Sequence, residues 1–358
     1  MPNPASTVSG GARFRYDLLD AALQRSLLPD TVLRAGSLYG AWARERRESA
    51  GGVAAVSDRL RQLVARMSTG PIAELPEKAN EQHYELPAEF LGLILGPRRK
   101  YSGCLWSEGV TTLAAAEEAM LALSCARAQM ADGMRVLDLG CGWGSLSLWL
   151  AERYPASSVV GVSNSYRQRE WIESERDRRG LSNLEVITAD VNEFSPTGRF
   201  DRVMSIEMFE HMRNWRELLR RVASWLTDDG KAFVHVFSHR WLPYLFQGTW
   251  AADRFFTAGL MPSHELMTHF QKDLVVADSW VVPGTHYART LQAWLERLDA
   301  SLDQAQAVLM ASDACGSESE ARRLIGTWRL FLISTAVIWA YRDGNHWLVS
   351  HYLLEHRA

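Results

Sequence analysis

Three side chains able to exchange protons stand within one short stretch, Glu207-Met208-Phe209-Glu210-His211. If a helix starts here, Glu207, Glu210 and His211 fall at i, i+3 and i+4 and share one face. They follow Phe200–Ile206, which reads as a strand, so they would sit at its carboxyl end. Two carboxylates and an imidazole there are costly unless they are used or paired. Such a set can take a proton from a nucleophile, and its charge attracts cations. The alternative is that the glutamates only offset a helix dipole and His211 packs in a core. His235 and His239 are weaker candidates, each more often a hydrogen-bonded structural histidine. No HExxH or CxxC spacing argues for a metal.

A second constellation lies upstream. Val136-Leu137-Asp138-Leu139 runs into a turn holding Gly140, Gly142 and Gly144, and a helical pattern follows. Glycine serves where the backbone takes φ > 0 or lies against a ligand, and N–H groups at the helix start face whatever covers the strand end. Asp138 can accept from an ammonium or hydroxyl. The spacing is not that of a phosphate loop, and no lysine follows. Further on, Ile187-Thr188-Ala189-Asp190-Val191 reads as another strand ending in an acid. Together these resemble the S-adenosylmethionine site of class I methyltransferases, whereas a glycine turn alone is a weak signal. Methyl transfer to an amine needs a neutral nitrogen, so a base must take the ammonium proton or hold the amine while water does. Glu207, Glu210 and His211 supply such groups, and a rim of aromatic rings would complete an amine pocket.

The elements that must position these groups alternate strand with helix, which implies a mainly parallel sheet. Strands are expected at Met134–Leu139, Ser158–Val162, Leu184–Ala189, Phe200–Ile206, Lys231–Phe237 and Leu274–Val282, with a last one from His346 to Leu354 inserted in the sheet. Helices are expected at Thr112–Met130, Trp215–Leu226, Thr290–Leu309 and Arg322–Ala340. Residues 1–12 read as disordered and 13–100 as a helical N-terminal extension or lid, in which Arg44 to Glu48 reads as a solvated charged face. The cofactor-binding core spans 101–237. An aromatic insertion at 238–272, with Phe256 in it, covers the active site, and 273–358 completes the sheet. The 358 residues carry 47% hydrophobic and 23% charged residues, a net charge of −3 and 14 tryptophans. That excludes a basic nucleic-acid footprint and offers aromatic walls for an apolar or cationic substrate. The four cysteines form no CxxC pair and the N-terminus carries no signal-peptide pattern, so a cytoplasmic protein with reduced thiols is expected. The apolar run Leu330–Ala340 is too short to cross a bilayer and reads as a buried helix; no stable membrane association is expected. Monomer and homodimer both remain open.

Taken together, the motifs resemble the coclaurine N-methyltransferase-like family within the cyclopropane-fatty-acid synthase superfamily. They are His83-Tyr84-Glu85-Leu86-Pro87, Tyr101-Ser102-Gly103-Cys104-Leu105, the Val136–Ser145 turn, Gly161–Ser165, Glu207–Met212, Gly284–Ala288 and Asp343–Leu348. The resemblance implies a seven-stranded class I methyltransferase fold and an S-adenosylmethionine-dependent N-methyltransferase that leaves S-adenosylhomocysteine. It implies that Tyr101, Ser102, Asp138, Gly140 and Gly142 hold the methionine part, Asn164 and Gln168 the ribose end, and Asp190 and Val191 the adenine. Glu207, Glu210 and His211 would form the amine site with Tyr84, Glu85, Phe256 and His235, and Glu210 with His211 would be the main catalytic pair. The lipid branch has a cysteine right after Tyr-Ser, where this chain has Gly103. It also has Asp-Leu-Gly where this chain has Glu85-Leu86-Pro87. Both departures favour the N-methyltransferase branch. Glu210 and His235 nevertheless match positions that help bind bicarbonate in the lipid enzymes, so modification of unsaturated acyl lipids stands as the alternative.

Overall fold

The computed structural model describes residues 21–22, 28–74, 86–256 and 259–357. The expectations placed on 1–12, on part of the 13–100 extension, and on Tyr84 and Glu85 fall outside these residues.

The chain opens with helices α1 (Asp30–Glu48), α2 (Gly52–Arg66), α3 (Ala88–Ile94) and α4 (Leu113–Arg127). Strand and helix then alternate: β1 (Arg135–Leu139), α5 (Ser145–Arg153), β2 (Ser158–Ser163), α6 (Tyr166–Arg179), β3 (Leu184–Thr188), β4 (Phe200–Ile206), α7 (Trp215–Trp225) and β5 (Leu226–His239). A small insertion holds β6 (Tyr244–Leu245), α8 (Trp250–Phe255) and β7 (Leu260–Met261). The chain ends with β8 (Leu274–Pro283), α9 (Gly284–Asp299), α10 (Leu302–Met310), α11 (Glu318–Ala340) and β9 (Trp347–His356).

Seven strands form one sheet in the order β3-β2-β1-β4-β5-β9-β8. The first five are parallel and β9 and β8 antiparallel. β1 is buried on both faces, as a parallel strand covered by helices must be, and its run Val-Leu-Asp-Leu supplies the apolar residues for it. Two large apolar clusters lie on opposite sides of the sheet. One joins Leu137, Val203, Trp215 and Val234 beneath α7; the other joins Phe90, Trp294, Trp328 and Phe331 from α3, α9 and α11.

Three differences from the sequence reading have physical causes. No α-helix starts at Glu207. That residue takes φ +49, and only a short 3₁₀ turn, Phe209–His211, follows before Met212 becomes extended. The helix expected at Thr290–Leu309 begins at Gly284 and breaks in two around Ala300 and Ser301, where N–H groups bond back to Glu296 and Leu298. The turn Asp228-Asp229-Gly230 lies within β5 as an irregularity: the register with β4 jumps from Leu226 to Lys231. Helix α11 is long and apolar enough to cross a membrane, but it packs against α9, α1 and α10 and most of its apolar residues are buried.

Candidate active site

A cavity of about 420 Å³ lies over the carboxyl ends of β1 and β4. That edge is where open α/β sheets bind ligands. Its chemistry divides into two ends.

At the β1 end, Gly140 and Gly142 take φ of +84 and +52. A Cβ on Gly140 would stand 2.8 Å from Met208 Cγ, so the turn admits no side chain there, while the Cβ direction at Gly142 is open. Asp138 is buried, lines the cavity and accepts from Ser147 Oγ at 2.6 Å. Burial pushes its carboxyl up to about 7, against the Ser147 hydrogen bonds. Trp143 Nε1, Ser145 Oγ and Gln168 Nε2 are buried without a partner, and all three residues line the same cavity. Gln168 is held by Ser163 Oγ donating to its Oε1 at 2.6 Å. Buried polar atoms of this kind call for a polar ligand. An acid for an ammonium, two glycine peptides, an indole N–H, an amide and a hydroxyl fit an amino acid joined to a nucleoside. Tyr101 and Ser102 line this end, but Asn164 does not. Asp190 and Val191 also lie outside the lining. The Asp190 carboxylate accepts from the backbone and side chain of Asn192, and the Val191 carbonyl from Arg221.

At the β4 end, Glu207, Glu210 and His211 all face the cavity, brought together by a strained turn and not by a helical face. Glu207 holds its positive φ because its carboxylate is fixed from three sides. Gly103 N–H donates to Oε1 at 3.1 Å, His235 Nε2 meets Oε1 at 3.2 Å, and the Tyr287 hydroxyl donates to Oε2 at 2.7 Å. Its backbone N–H bonds to the His235 carbonyl. Burial pushes the Glu207 carboxyl up; Lys100, the Tyr287 hydroxyl, the Gly103 N–H and His211 oppose that. Glu210 differs: it is 1% exposed and its Oε2 has no hydrogen-bond partner. Burial, then the neighbouring Glu207, push its carboxyl well above the usual range. Of the two carboxyls, Glu210 is the one that burial and its neighbour favour more strongly in the protonated form.

His235 is fully buried behind Glu207 and does not line the cavity, so its expected contact with substrate is corrected to support of Glu207. Phe256 does line it, packed near Phe246 and Phe237 at ring separations of 5.1 and 6.1 Å. The remaining wall comes from α11 and from α1, the latter within the stretch read as an extension or lid. Leu330, Phe331, Ile338 and Trp339 of α11 and Ser37, Gly40, Ala41 and Arg44 of α1 close the cavity. Arg44 is thus not on a solvated face: its guanidinium lies 5.1 Å from the Tyr244 ring centre and pairs with Glu48 at 3.1 Å. Lys100 and Tyr287 were also missed as site residues, although each lies beside or within a quoted motif. Lys100 is buried, with Nζ donating to Ser102 Oγ and, at 2.8 Å, to the Gly103 carbonyl.

Among the described residues, one His/carboxylate group has metal-like proximity: Glu45, His239 and His346. His239 Nδ1 accepts from the N–H groups of Trp241 and Leu242, which leaves the proton of a neutral ring on Nε2. It therefore faces the cluster as a donor and not as a ligand.

Residues 74–336 match the family model described as mycolic acid cyclopropane synthetase. The chain belongs to this family. An (S)-coclaurine N-methyltransferase of Thalictrum flavum subsp. glaucum is 39% identical over 291 residues, 79% of this chain and 80% of the relative. A cyclopropane-fatty-acyl-phospholipid synthase of Escherichia coli (strain K12) is 30% identical over 223 residues, 62% of this chain and 56% of the relative. The crystal structure of a coclaurine N-methyltransferase bound to N-methylheliamine and S-adenosylhomocysteine superposes with a TM-score of 0.89. It is 35% identical and covers 95% of this chain and 99% of that one. The chain is a class I, S-adenosylmethionine-dependent methyltransferase.

Proposed function

We propose that the enzyme N-methylates a small amine, aromatic or cyclic, with Glu210 and His211 at the acceptor nitrogen. The single observation that carries this reading is the unpartnered, buried Oε2 of Glu210 in a cavity that also presents aromatic walls. An isolated buried acid calls for a donor, and a protonated amine is the donor whose charge also matches. The N-methyltransferase relatives and their shared architecture support the same choice.

When bound at the Asp138 end, S-adenosylmethionine supplies a sulfonium methyl and leaves as S-adenosylhomocysteine. The residues of this chain do the rest. Glu207, its carboxylate held by three donors beside Lys100, offers a cation an acidic partner at the β4 end. Glu210 gives up its own proton to solvent as the protonated amine binds; as a carboxylate it then receives the acceptor N–H, takes that proton and frees the nitrogen lone pair. His211, on the same turn, borders the nitrogen. Phe237, Phe246, Phe256 and Trp339 exclude water and give the rings of an organic amine an apolar surface.

The test is release of S-adenosylhomocysteine across phenylalkylamines, tetrahydroisoquinolines and vesicles of unsaturated phospholipid. Turnover on amines, with the added methyl on nitrogen, is expected. Turnover on the vesicles alone would replace this reading with the lipid one.

A further inference from the structure

Behind Glu207 runs a chain of buried side chains whose hydrogen-bond direction is fixed at its outer end. Arg127, half-buried at the end of α4, has Nη1 2.7 Å from His351 Nδ1. His351 Nε2 lies 2.9 Å from His235 Nδ1, and His235 Nε2 lies 3.2 Å from Glu207 Oε1. Both rings are fully buried. A guanidinium has no acceptor atom, so Arg127 donates and His351 Nδ1 must accept. A neutral His351 then carries its proton on Nε2 and donates to His235 Nδ1. His235 in turn carries its proton on Nε2 and donates to Glu207. One fixed cation thus sets the tautomer of two imidazoles and ends on a carboxylate that borders the acceptor cavity.

The sheet supplies the geometry. Ile206, His235, His351 and Trp280 are register partners across β4, β5, β9 and β8, so their side chains stand in a row on one face. The Arg127 guanidinium lies 5.0 Å from the Trp280 ring centre, which places it at the end of that row. Phe233 packs edge-on to His351, its ring centre 5.0 Å away.

We propose that Arg127 and His351 are positioning residues for methyl transfer: through His235 they hold a donor on Glu207 and keep that carboxylate anionic and aimed at the cavity. This rests on the amine-methylation reading for its activity readout. The charged and titratable groups facing the row are few. Around the rings they are Arg127 and Lys100; around Glu207 they are Lys100, Tyr287, His211 and Glu210; on the far side of Arg127 is Asp278. Burial and the two cations disfavour protonation of either imidazole.

If His351 cannot donate, His235 is free to turn its lone pair toward Glu207. Loss of a donor raises a carboxylate's pKa. The acidic limb of the kcat/KM profile should therefore move to higher pH.

The experiment pairs two measurements on the full-length enzyme. The first is nitrogen NMR of the wild-type histidines. The expected result is that His235 and His351 are both neutral with the proton on Nε2, and an Nδ1–H tautomer at His351 overturns the proposal. The second is the pH profile of amine methylation in R127M, H351F and H351Q. R127M and H351F should lose at least tenfold in kcat/KM and shift the acidic limb upward by about one unit. Their S-adenosylhomocysteine affinity should stay within about threefold of wild type. H351Q can accept from Arg127 through its oxygen and donate to His235 through its nitrogen, so it should recover most of the loss. Wild-type rates and an unmoved pH limb in R127M and H351F overturn the proposal, as does equal loss in H351F and H351Q. Should H351F fail to fold, R127M and the wild-type tautomers decide. Should no amine be methylated by wild type, the functional reading falls and the tautomer measurement still judges the row.

Discussion

At the scale of single residues, three buried carboxyls in one cavity have distinct electrostatic situations. Glu207 is surrounded by donors, Glu210 has an orphaned oxygen, and Asp138 keeps only Ser147. Burial raises the Asp138 carboxyl from its ordinary value to about 7. A raised native-state value means the folded protein binds the proton more tightly than the unfolded chain does. The cost of charging Asp138 is thus absent below about pH 4, grows as pH rises and is complete above about pH 7, reaching on the order of 4 kcal/mol. D138N removes that cost. Without cofactor, the variant should melt at a higher temperature than wild type at pH 8, with the gap narrowing toward pH 5. Its affinity for S-adenosylmethionine should fall at least tenfold, since the acceptor for the ammonium is lost. Equal melting temperatures of the two proteins at both pH values would show that Asp138 is not desolvated as described.

At the scale of elements, the Tyr101–Cys104 turn is clamped between β4 and α9. Gly103 N–H reaches Glu207, its carbonyl receives Lys100, and the Tyr287 ring closes over it. A Cβ at position 103 would stand 3.2 Å from Tyr287 Cδ1. This contact gives physical content to the glycine that departs from the lipid branch. G103C must displace Tyr287 and stretch its 2.7 Å bond to Glu207. A loss of about 1–2 kcal/mol is expected from overpacking. It should be read as a melting temperature lower by several degrees, with amine methylation reduced alongside. Unchanged stability and rate would mean that the ring is free to move. Sequence reading placed every strand of the sheet, because the buried parallel strands are rich in apolar residues, as at Val136–Leu139, although the last, His346–Leu354, alternates poorly. It failed at Glu207, where the tertiary bonds to Gly103, His235 and Tyr287 impose a left-handed backbone that no local pattern reports. It also joined α9 to α10, whose apolar spacing continues through the break at Ala300.

At the scale of the whole molecule, the cavity is closed by parts far apart in the chain. The β1 turn and the Glu207–His211 turn were legible because short motifs carry them. The walls were not. Arg44 on α1 and Trp339 on α11 meet the same space only after α1 packs on α11, tied by Asp30 to Arg329 at 3.2 Å, and on the segment before β9, tied by Glu45 to His346 at 2.5 Å. Contacts across some three hundred residues leave no local signature, so Arg44 read as a surface charge. His235 was misplaced for the same reason: its strand was clear, but not that Glu207 would stand between it and the cavity.

The central claim is that the unpartnered oxygen of Glu210 receives the acceptor's ammonium. Calorimetric binding of a protonated secondary amine to the S-adenosylhomocysteine complex tests it most directly, in wild type and E210Q, near neutral pH in two buffers of different ionisation enthalpy. Because burial and Glu207 favour the protonated form of Glu210, wild type should release protons as the cation binds. E210Q should release none and bind at least tenfold more weakly. Equal affinity and equal proton release in the two proteins would contradict the account.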